Sequence, residues 1–374
     1  MILKTKDFKE AANKILLASD SDKNVTCLEL VTKESNLYLN VTNKEFYVSV
    51  KFPLAEPIAF RAVVNADLFL KLVSALTTEE FSLDIVDNYV LMKAGKCEYK
   101  IPMIYVNEDL LTLPVITLQN KTVEMPIKLD ILQSILNINS KELLKVKNID
   151  VNELQKLYFI DENGCFTFTT GACLNAFHLD KPIKILLNDR IVKLFKLFKT
   201  DVIFALAKDS DTTGNIVTKV SFIADDVYVA ALITSDDKLI NGMEGPCNMT
   251  KNYISEKYDY SLALSTAELS SAIQRLMLFT KQSDSSITNT YMPIDAKIVD
   301  NAITLSDKYG NSETVSAKNE LANKTKYDFK FNMNDLKLVL DSTKTDTITF
   351  NCGNHRSIFL SRGTVYNIIP EMVR

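Results

Sequence analysis

Residues 65–102 read NADLFLKLVSALTTEEFSLDIVDNYVLMKAGKCEYKIP, and this stretch decides the predicted fold. It opens on Asn65 and Asp67, residue types that favour the start of a helix. Leu68, Leu72 and Leu76 then recur at helical spacing. Three short alternating segments follow at 81–86, 89–94 and 98–102, separated by polar turns. The stretch therefore predicts one helix followed by three antiparallel strands.

The same order of elements returns at 188–234 and 332–370, and each copy opens on an Asn with an Asp nearby. Another helical pattern precedes each copy, at 8–17, 129–136 and 267–279. A strand pattern follows each of these helices, at 37–43, 165–171 and 302–307. Three such units predict an α+β fold, with two helices packed on antiparallel sheets in each. We place the domains at 1–118, 119–250 and 251–374.

The chain has 374 residues, a net charge of −4 and a pI of about 5.5. This balance argues against a protein that grips nucleic acid through a generally basic surface. The overall net charge conceals a separation of charge along the chain. The six predicted helices together carry a net charge of +8, and the remaining residues carry −12. If those helices share a surface, that surface is weakly basic within an acidic body.

Motifs for cofactors and targeting are lacking. There are only nine glycines, and neither a dinucleotide fingerprint nor a P-loop occurs. None of the six cysteines forms a C-x-x-C pair, so neither a metal centre nor a cofactor is expected. The first residues lack the apolar core of a signal peptide, and no apolar run is long enough to cross a membrane. The prediction is a cytoplasmic protein.

Acidic pairs at Asp209/Asp211, Asp225/Asp226 and Asp236/Asp237 leave one enzymatic alternative open. A metal-dependent nucleic-acid enzyme would use such carboxylates to hold its ions. The other interpretation is that these are turn residues, a common role for Asp. The His178-Leu179-Asp180 segment is similarly either a metal fragment or the end of a strand.

The stretch 65–102 closely resembles the first domain of the bacterial DNA polymerase III beta subunit family, the sliding clamps. TTGACL at 169–174 resembles that family's T-D-G-x-R-L segment, and KLING at 238–242 is similar to its R-L-I-x-G segment. FKFN at 329–332 and VYNIIP at 365–370 resemble the family's last helix start and terminal strand. The resemblance covers the whole chain, and a divergent phage- or plasmid-encoded member is compatible with it.

This resemblance implies a non-catalytic processivity factor. Two chains of three domains would join head to tail into a ring whose helices line a hole for double-stranded DNA. Binding would be independent of sequence, as contacts to the phosphate backbone are. The ring would tether DNA polymerase and other proteins that carry a clamp-binding motif, and a clamp loader would open it.

The predicted DNA-facing residues are basic side chains on or beside the helices. Arg190, Lys193, Lys196 and Lys199 recur every third residue, opposite an apolar face. An ordinary solvated helix face is the alternative interpretation. The full predicted set is Lys14, Lys23, Lys145, Arg190, Lys193, Lys196, Lys199 and Arg275.

The resemblance also implies a cleft for an extended partner peptide and a dimer interface. The cleft positions are Leu154, Thr169, Gly171, Ala172, Cys173, Leu174, Pro246, Asn367, Ile369 and Pro370. Two departures from the family stand among them, since it often has His-Arg at Ala172-Cys173 and an aliphatic residue at Asn367. The interface positions are Tyr99, Ile101, Leu278 and Phe279. Plain strand and core positions are the alternative for both sets.

Overall fold

The structure is a computed structural model that describes residues 1–21, 24–140, 153–168, 171–210, 213–283, 292–318, 326–353 and 357–372. The strands, in chain order, are β1 Ile2–Lys4, β2 Cys27–Lys33, β3 Asn36–Thr42, β4 Phe46–Pro53, β5 Arg61–Asn65, β6 Glu80–Val86, β7 Tyr89–Ala94, β8 Cys97–Pro102, β9 Tyr105–Val106, β10 Asp109–Leu110, β11 Lys121–Ile127, β12 Leu157–Asp161, β13 Gly164–Phe168, β14 Ala172–Ala176, β15 Lys184–Asn188, β16 Val202–Ser210, β17 Ile216–Ile223, β18 Val227–Ile233, β19 Tyr260–Ser265, β20 Pro293–Val299, β21 Ala302–Ser306, β22 Ser312–Ser316, β23 Tyr327–Asn332, β24 Thr347–Cys352, β25 Ser357–Arg362 and β26 Val365–Pro370. The α-helices are α1 Thr5–Ser21, α2 Ala66–Ala75, α3 Leu129–Ser134, α4 Asp189–Lys193, α5 Asp237–Ile254, α6 Thr266–Ser283 and α7 Met333–Ser342.

The first of two compact units comprises Met1–Gln133 and Arg190–Ser235. It contains an eight-stranded antiparallel sheet in the order β11-β16-β17-β18-β4-β3-β2-β5 and a four-stranded sheet in the order β1-β6-β7-β8. Phe8 of α1 makes edge-to-face contacts with Phe52, Phe69 and Phe81 at ring-centroid distances of 5.4 to 6.3 Å. Helices α1 and α2 and both sheets therefore share one core.

The second unit comprises Ser134–Asp189 and Asp236–Arg374. Its eight-stranded sheet has the order β15-β12-β13-β14-β26-β25-β24-β19, and its four-stranded sheet has the order β22-β21-β20-β23. One core lies between the sheets and helices α6 and α7. A second, smaller core lies on the other side of the eight-stranded sheet, where α5 covers it.

Both eight-stranded sheets are built by joining two three-stranded meanders at their last strands. In the first unit β4 pairs with β18, from Val50↔Val227 to Phe46↔Ala231. In the second unit β14 pairs with β26, from Ala172↔Ile368 to Asn175↔Val365. Two meanders remain, β6-β7-β8 and β20-β21-β22, and their last strands lie at open edges of the four-stranded sheets.

The stretch 65–102 folds as predicted. The Asn65 side chain accepts a hydrogen bond from the Leu68 N–H at 2.9 Å, which caps α2. The three predicted strands are β6, β7 and β8. The predicted α+β class with antiparallel sheets is confirmed.

Two elements of the structure differ from the prediction. The helix predicted at 188–199 ends as α4 at Lys193 and continues as a 3₁₀ turn over Leu194–Leu197, in which the three apolar residues Leu194, Phe195 and Leu197 are buried. The sequence patterns did not predict a helix between 188–234 and 267–279, but α5 runs from Asp237 to Ile254 and includes Pro246. Its buried Met243, Cys247 and Thr250 recur at helical spacing, which is the signal that the proline concealed. The three-domain division stays a prediction.

Candidate functional site

The basic stripe on α4 and the turn after it is amphipathic, as predicted. Ile191, Leu194 and Phe195 are buried, and Phe195 packs edge-on against Phe222 at 5.0 Å between ring centroids. Lys196 and Lys199 are exposed, and Lys193 is half-buried. Apolar packing on one side therefore holds these ammonium groups on the other.

Three of the predicted DNA-facing cations are held by carboxylates. Lys14 forms an ion pair with Asp226, and Arg190 Nη1 lies 3.1 Å from Glu45 Oε1. Arg275 donates two hydrogen bonds to the Glu313 carboxylate, at 2.7 and 2.8 Å. These bonds from Arg275 lower the pKa of Glu313. The carboxylates reduce the net positive charge at these three places, whereas Lys196 and Lys199 are exposed and form a more basic part of the predicted surface.

Two lysines of the predicted set cannot be placed, and a further lysine of α1 has a structural role. Lys9, also on α1, donates its Nζ to the carbonyl oxygens of Ser74 and Leu76 at 2.8 and 2.6 Å, which caps the end of α2. Lys23 and Lys145 lie outside the described residues.

The predicted peptide cleft lies where β14 pairs with β26, a strand pair that we call the β14–β26 seam. The two faces of the sheet must be distinguished here. Ala172 and Leu174 lie on the α5 side of the sheet, together with Ile368 and Tyr366. Successive side chains of a strand point to opposite faces, so the positions between them lie on the other side. The predicted set mixes both faces.

Cys173, Asn367 and Ile369 do not belong to the α5 face, and their place in the peptide cleft stays a prediction. Ile369 is part of the other core of the unit. The Asn139 amide lies 3.9 Å from the Cys173 sulfur, and Asn367 is buried. Tyr366 and Ile368, one position away along β26, lie on the α5 face and were not in the predicted set. The alternation of the strand was the available signal.

The remaining predicted cleft positions frame the α5 face. A Cβ added to Gly171 would collide with the carbonyl oxygen of Ile368, so the backbone approach at the seam requires glycine. Leu154 packs against the same core, within 3.1 Å of where a Cβ on Gly242 would lie. Pro246 is half-buried in α5, Pro370 is exposed at the end of β26, and Thr169 lies outside the described residues.

Aromatic rings extend this face away from the seam. Phe359 stacks on Tyr258 at 5.7 Å and on Tyr366 at 5.8 Å between ring centroids. Tyr253 meets Phe359 edge-on at 6.2 Å, and burial raises the pKa of Tyr258. The three tyrosines are half-buried and therefore form an aromatic rim of partly accessible rings.

A buried arginine holds the opposite side of the same seam. Arg362 donates from Nε and Nη2 to the Asn367 side-chain oxygen at 3.1 and 2.8 Å. Its Nη1 also donates to the Val339 carbonyl oxygen and to Ser342 Oγ. The Asn367 amide in turn donates to the Ala172 carbonyl oxygen at 3.5 Å. Asn367 is therefore a structural bridge between β25, β26 and β14.

The predicted interface positions divide into exposed and buried. Leu278 and Phe279 on α6 are 64% and 53% exposed, which is unusual for such large apolar side chains. Tyr99 is exposed on β8, whereas Ile101 is 2% exposed. Ile101 is a core residue of its own unit because its strand neighbour Val90 also faces that core.

The acidic pairs have structural partners. Asp209 is buried and accepts hydrogen bonds from the backbone N–H groups of Asn120 and Gln119, and it pairs with Lys219. Asp236 caps α5, and Asp226 binds Lys14. Among the described residues no group of three or more His, Cys, Asp or Glu side chains is placed to hold a metal ion. The nuclease alternative gains no support, although Asp211 and His355 lie outside the described residues.

No described helix is long and apolar enough to span a membrane.

Comparison with known proteins shows the fold. No family model matches the chain, and no curated protein matches it as a sequence relative. Solved structures do match. The beta subunit of DNA polymerase III from Thermotoga maritima has a TM-score of 0.75 at 16% identity, over 100% of this chain and 99% of that one. The beta chain from Streptococcus pneumoniae has a TM-score of 0.77 at 12% identity, over 100% and 99%.

The DNA polymerase sliding clamp from Bacillus subtilis has a TM-score of 0.76 at 13% identity, over 100% of this chain and 98% of that one. The predicted sliding-clamp fold is therefore confirmed over the full length. The identities are low enough that the likeness establishes the fold and leaves each site residue to be argued from its own surroundings.

Proposed function

We propose that this chain is a DNA sliding clamp, a processivity factor that encircles duplex DNA without catalysing a reaction. The observation that carries the proposal is the full-length match of fold to polymerase clamps. The meander pairing adds a physical argument, because two last strands remain at open edges. Open sheet edges pair readily with another chain.

The partner for these edges is a second copy of the chain. If β22 of one copy joined β8 of the other, each contact would repeat the seams already made by β4 with β18 and by β14 with β26. Leu278 and Phe279 lie on α6, which packs beside β22, so apolar surface would be buried with the edge. Two such head-to-tail contacts close a ring.

The DNA surface consists of the basic residues on and beside the helices, chiefly the exposed Lys196 and Lys199. Phosphate contacts of this kind carry no sequence information, and few of them bind weakly. Lys14, Arg190 and Arg275 contribute less because each shares its charge with a carboxylate. A weak, sequence-blind attraction permits sliding.

The partner site is the α5 face of the β14–β26 seam. Leu154, Ala172, Leu174, Tyr366 and Ile368 supply apolar and aromatic surface for the anchors of an extended peptide. DNA polymerase, a clamp loader and other clamp-binding proteins would carry that peptide. The source would be a bacterium, or a phage or plasmid replicating in one.

The decisive experiment measures the mass of the protein in solution and its retention on circular and linear DNA. Light scattering should give a dimer of about 84 kDa, twice the 42.1 kDa chain. Once a loader has placed it, the protein should remain on nicked circular DNA and slide off after the DNA is linearised. A monomer at micromolar concentration, or equal retention on circular and linear DNA, would overturn the proposal.

The basic stripe has its own test. Lys196→Glu with Lys199→Glu should shorten retention on circular DNA and make retention less dependent on salt, because two phosphate contacts and the counterions they release are lost. Lys33→Glu with Lys297→Glu changes the net charge equally at exposed positions on strands and should leave retention unchanged. Equal behaviour of the two double variants would contradict the assignment of the stripe.

A further inference from the structure

The first unit contains a cavity of about 550 Å³ that the proposed function does not use. It lies at the N-terminal end of β2 and beside the loop between β3 and β4. Cys27, Lys44 and Glu45 form part of its wall, and Arg190 closes it from the start of α4. Leu111 and Leu113, from the segment after β10, supply apolar surface. The cavity is thus a built concave site with an apolar wall and charged groups at its rim.

The position of this cavity in the first repeat corresponds to that of the proposed peptide site in the second. Asn24–Cys27 leads into β2 as the turn containing Leu154 leads into β12. The loop 42–45 precedes β4 as Gly171 precedes β14. Leu111–Pro114 follows the last meander of the first repeat as the α5 segment with Pro246 follows that of the second. Each site therefore adjoins a seam between meanders, β4 with β18 in one case and β14 with β26 in the other.

The backbone beside the cavity can receive an extended chain. Residues 111–119 lie in neither helix nor strand. Within the part of the chain that the structure describes, the N–H and C=O groups of Leu113 and Val115 make no hydrogen bond. An extended peptide satisfies such groups by pairing alongside them, while its side chains enter neighbouring pockets.

The charged side chains that line the cavity favour a ligand of opposite charge. Lys44, Glu45 and Arg190 are the ionised side chains in the lining, which leaves one net positive charge. Lys44 is exposed at the rim, and Arg190 lies 3.1 Å from Glu45. Carboxylates on a ligand would be attracted to this rim while aliphatic side chains cover Leu111 and Leu113.

We propose that this cavity binds a short extended peptide of a partner protein, with two adjacent aliphatic residues flanked by carboxylates. The choice of a peptide rests on the proposed function, through the correspondence of the two repeats. The binding itself requires neither DNA nor ring closure.

The test uses the full chain and the probe peptide acetyl-Gly-Asp-Leu-Leu-Asp-Gly-amide. Cys27 is half-buried in the cavity wall and Cys97 is exposed on β8, so iodoacetamide labelling resolved by mass spectrometry reports both. The peptide should slow labelling of Cys27 in a saturable manner and leave Cys97 unchanged. The matched peptide with Lys in place of both Asp residues should protect about tenfold less well, because its charges oppose Lys44 and Arg190.

A matched pair of variants locates the effect. Lys44→Glu should weaken protection by the acidic peptide about fivefold. Lys33→Glu makes the same charge change on β2 outside the cavity and should not alter protection. Lack of saturable protection by millimolar peptide, equal protection by both peptides, or equal behaviour of the two variants would overturn the inference.

The outcomes also separate this inference from the proposed function. Protection of Cys27 in a chain that is not retained on circular DNA would support the cavity and count against the clamp. Retention on DNA without protection of Cys27 would overturn the cavity alone. Fluorescence anisotropy of a labelled peptide measures binding independently of Cys27. If the peptide binds but Cys27 stays unprotected, the peptide binds another surface, and the cavity inference is likewise overturned.

Discussion

Single residues set the geometry of the β14–β26 seam from both of its sides. On the side of α5, Gly171 lets the chain approach the Ile368 carbonyl more closely than any side chain permits. On the opposite side, Arg362 and Asn367 join three strands through buried hydrogen bonds. A peptide that binds this face depends both on Gly171 and on the Arg362–Asn367 hydrogen bonds, although neither needs to contact the peptide.

Gly171→Ala should lower the free energy of unfolding by about 2–3 kcal/mol, because the new Cβ collides with backbone that cannot rotate away. Gly245→Ala is the control, since its Cβ would enter open space within α5. Replacing a helical glycine should raise the free energy of unfolding by about 0.5–1 kcal/mol. Urea denaturation of both variants measures the two effects, and a harmless Gly171→Ala would refute the close approach.

Arg362→Met should lower the free energy of unfolding by about 2–3 kcal/mol, because hydrogen bonds from a charged donor are lost and buried acceptors lose their partner. Combining it with Asn367→Ala in a double-mutant cycle should reveal a coupling of about 1–2 kcal/mol. Strict additivity in urea denaturation would show that the two side chains do not act together. Arg362→Lys should not restore stability, because an ammonium group lacks the planar fork.

At the scale of elements, the structure depends on how segments are anchored where the pattern of the sequence is weak. The segment before β11 has no regular structure, yet Asp209 on β16 binds the N–H groups of Gln119 and Asn120 at 3.2 and 2.8 Å. Lys219 on β17 pairs with the same carboxylate at 3.0 Å. One buried carboxylate therefore joins the start of β11 to the two strands beside it.

Stability should depend on pH through this carboxylate. Burial opposes ionisation of Asp209, but the hydrogen bonds from Asn120 and Lys219 prevail and lower its pKa. Because the pKa of Asp209 is lower in the folded than in the unfolded state, its ionised form stabilises the fold. This stabilisation is complete above the pKa of the unfolded state, about 4, and is lost as the pH falls through the pKa of the folded state. The midpoint of urea unfolding should therefore fall on acidification below pH ~4. Asp209→Asn should show a flatter dependence, and an unchanged slope would contradict this account.

The whole molecule is organised by one rule of edge pairing. Last strands of meanders pair within each unit, and two of them, β8 and β22, remain at open edges. The exposed apolar residues of α6 lie beside one of these edges. A second copy would satisfy both the backbone groups at these edges and the apolar side chains, which is the physical basis of the proposed ring.

Leu278→Glu with Phe279→Glu should convert the dimer into a 42.1 kDa monomer in light scattering without loss of folded structure. The charges would enter apolar surface that the second copy must bury, while both side chains are exposed in the single chain. Ile216→Glu is the control, since Ile216 is 72% exposed on β17 and belongs to no proposed interface. Persistence of the dimer in the double variant would exclude this side of α6 from the contact.

Sequence and structure agree most closely where local patterns are strong. The capped helix α2 and strands β6 to β8 follow from residues 65–102, because caps, spacing and turns all indicate the same elements. The repeat of that pattern indicated α+β units, and the resemblance of the motifs to sliding clamps indicated the clamp fold. The candidate site stays a prediction, since the matching motifs placed residues along β26 but did not choose the face. Asn367 and Ile369 were selected where Ile368 and Tyr366 lie toward α5.

The repeated α+β units, the separation of basic helices from an acidic remainder and the apolar side of α4 can all be predicted from the order of the residues. These are short-range properties, since periodicity and capping act within about a dozen residues. The folded chain was needed to see that Lys14, Arg190 and Arg275 meet carboxylates, that Arg362 holds Asn367, and that a cavity opens beside Cys27. Those contacts join residues distant in the chain, and packing of whole elements, rather than any local pattern, brings them together.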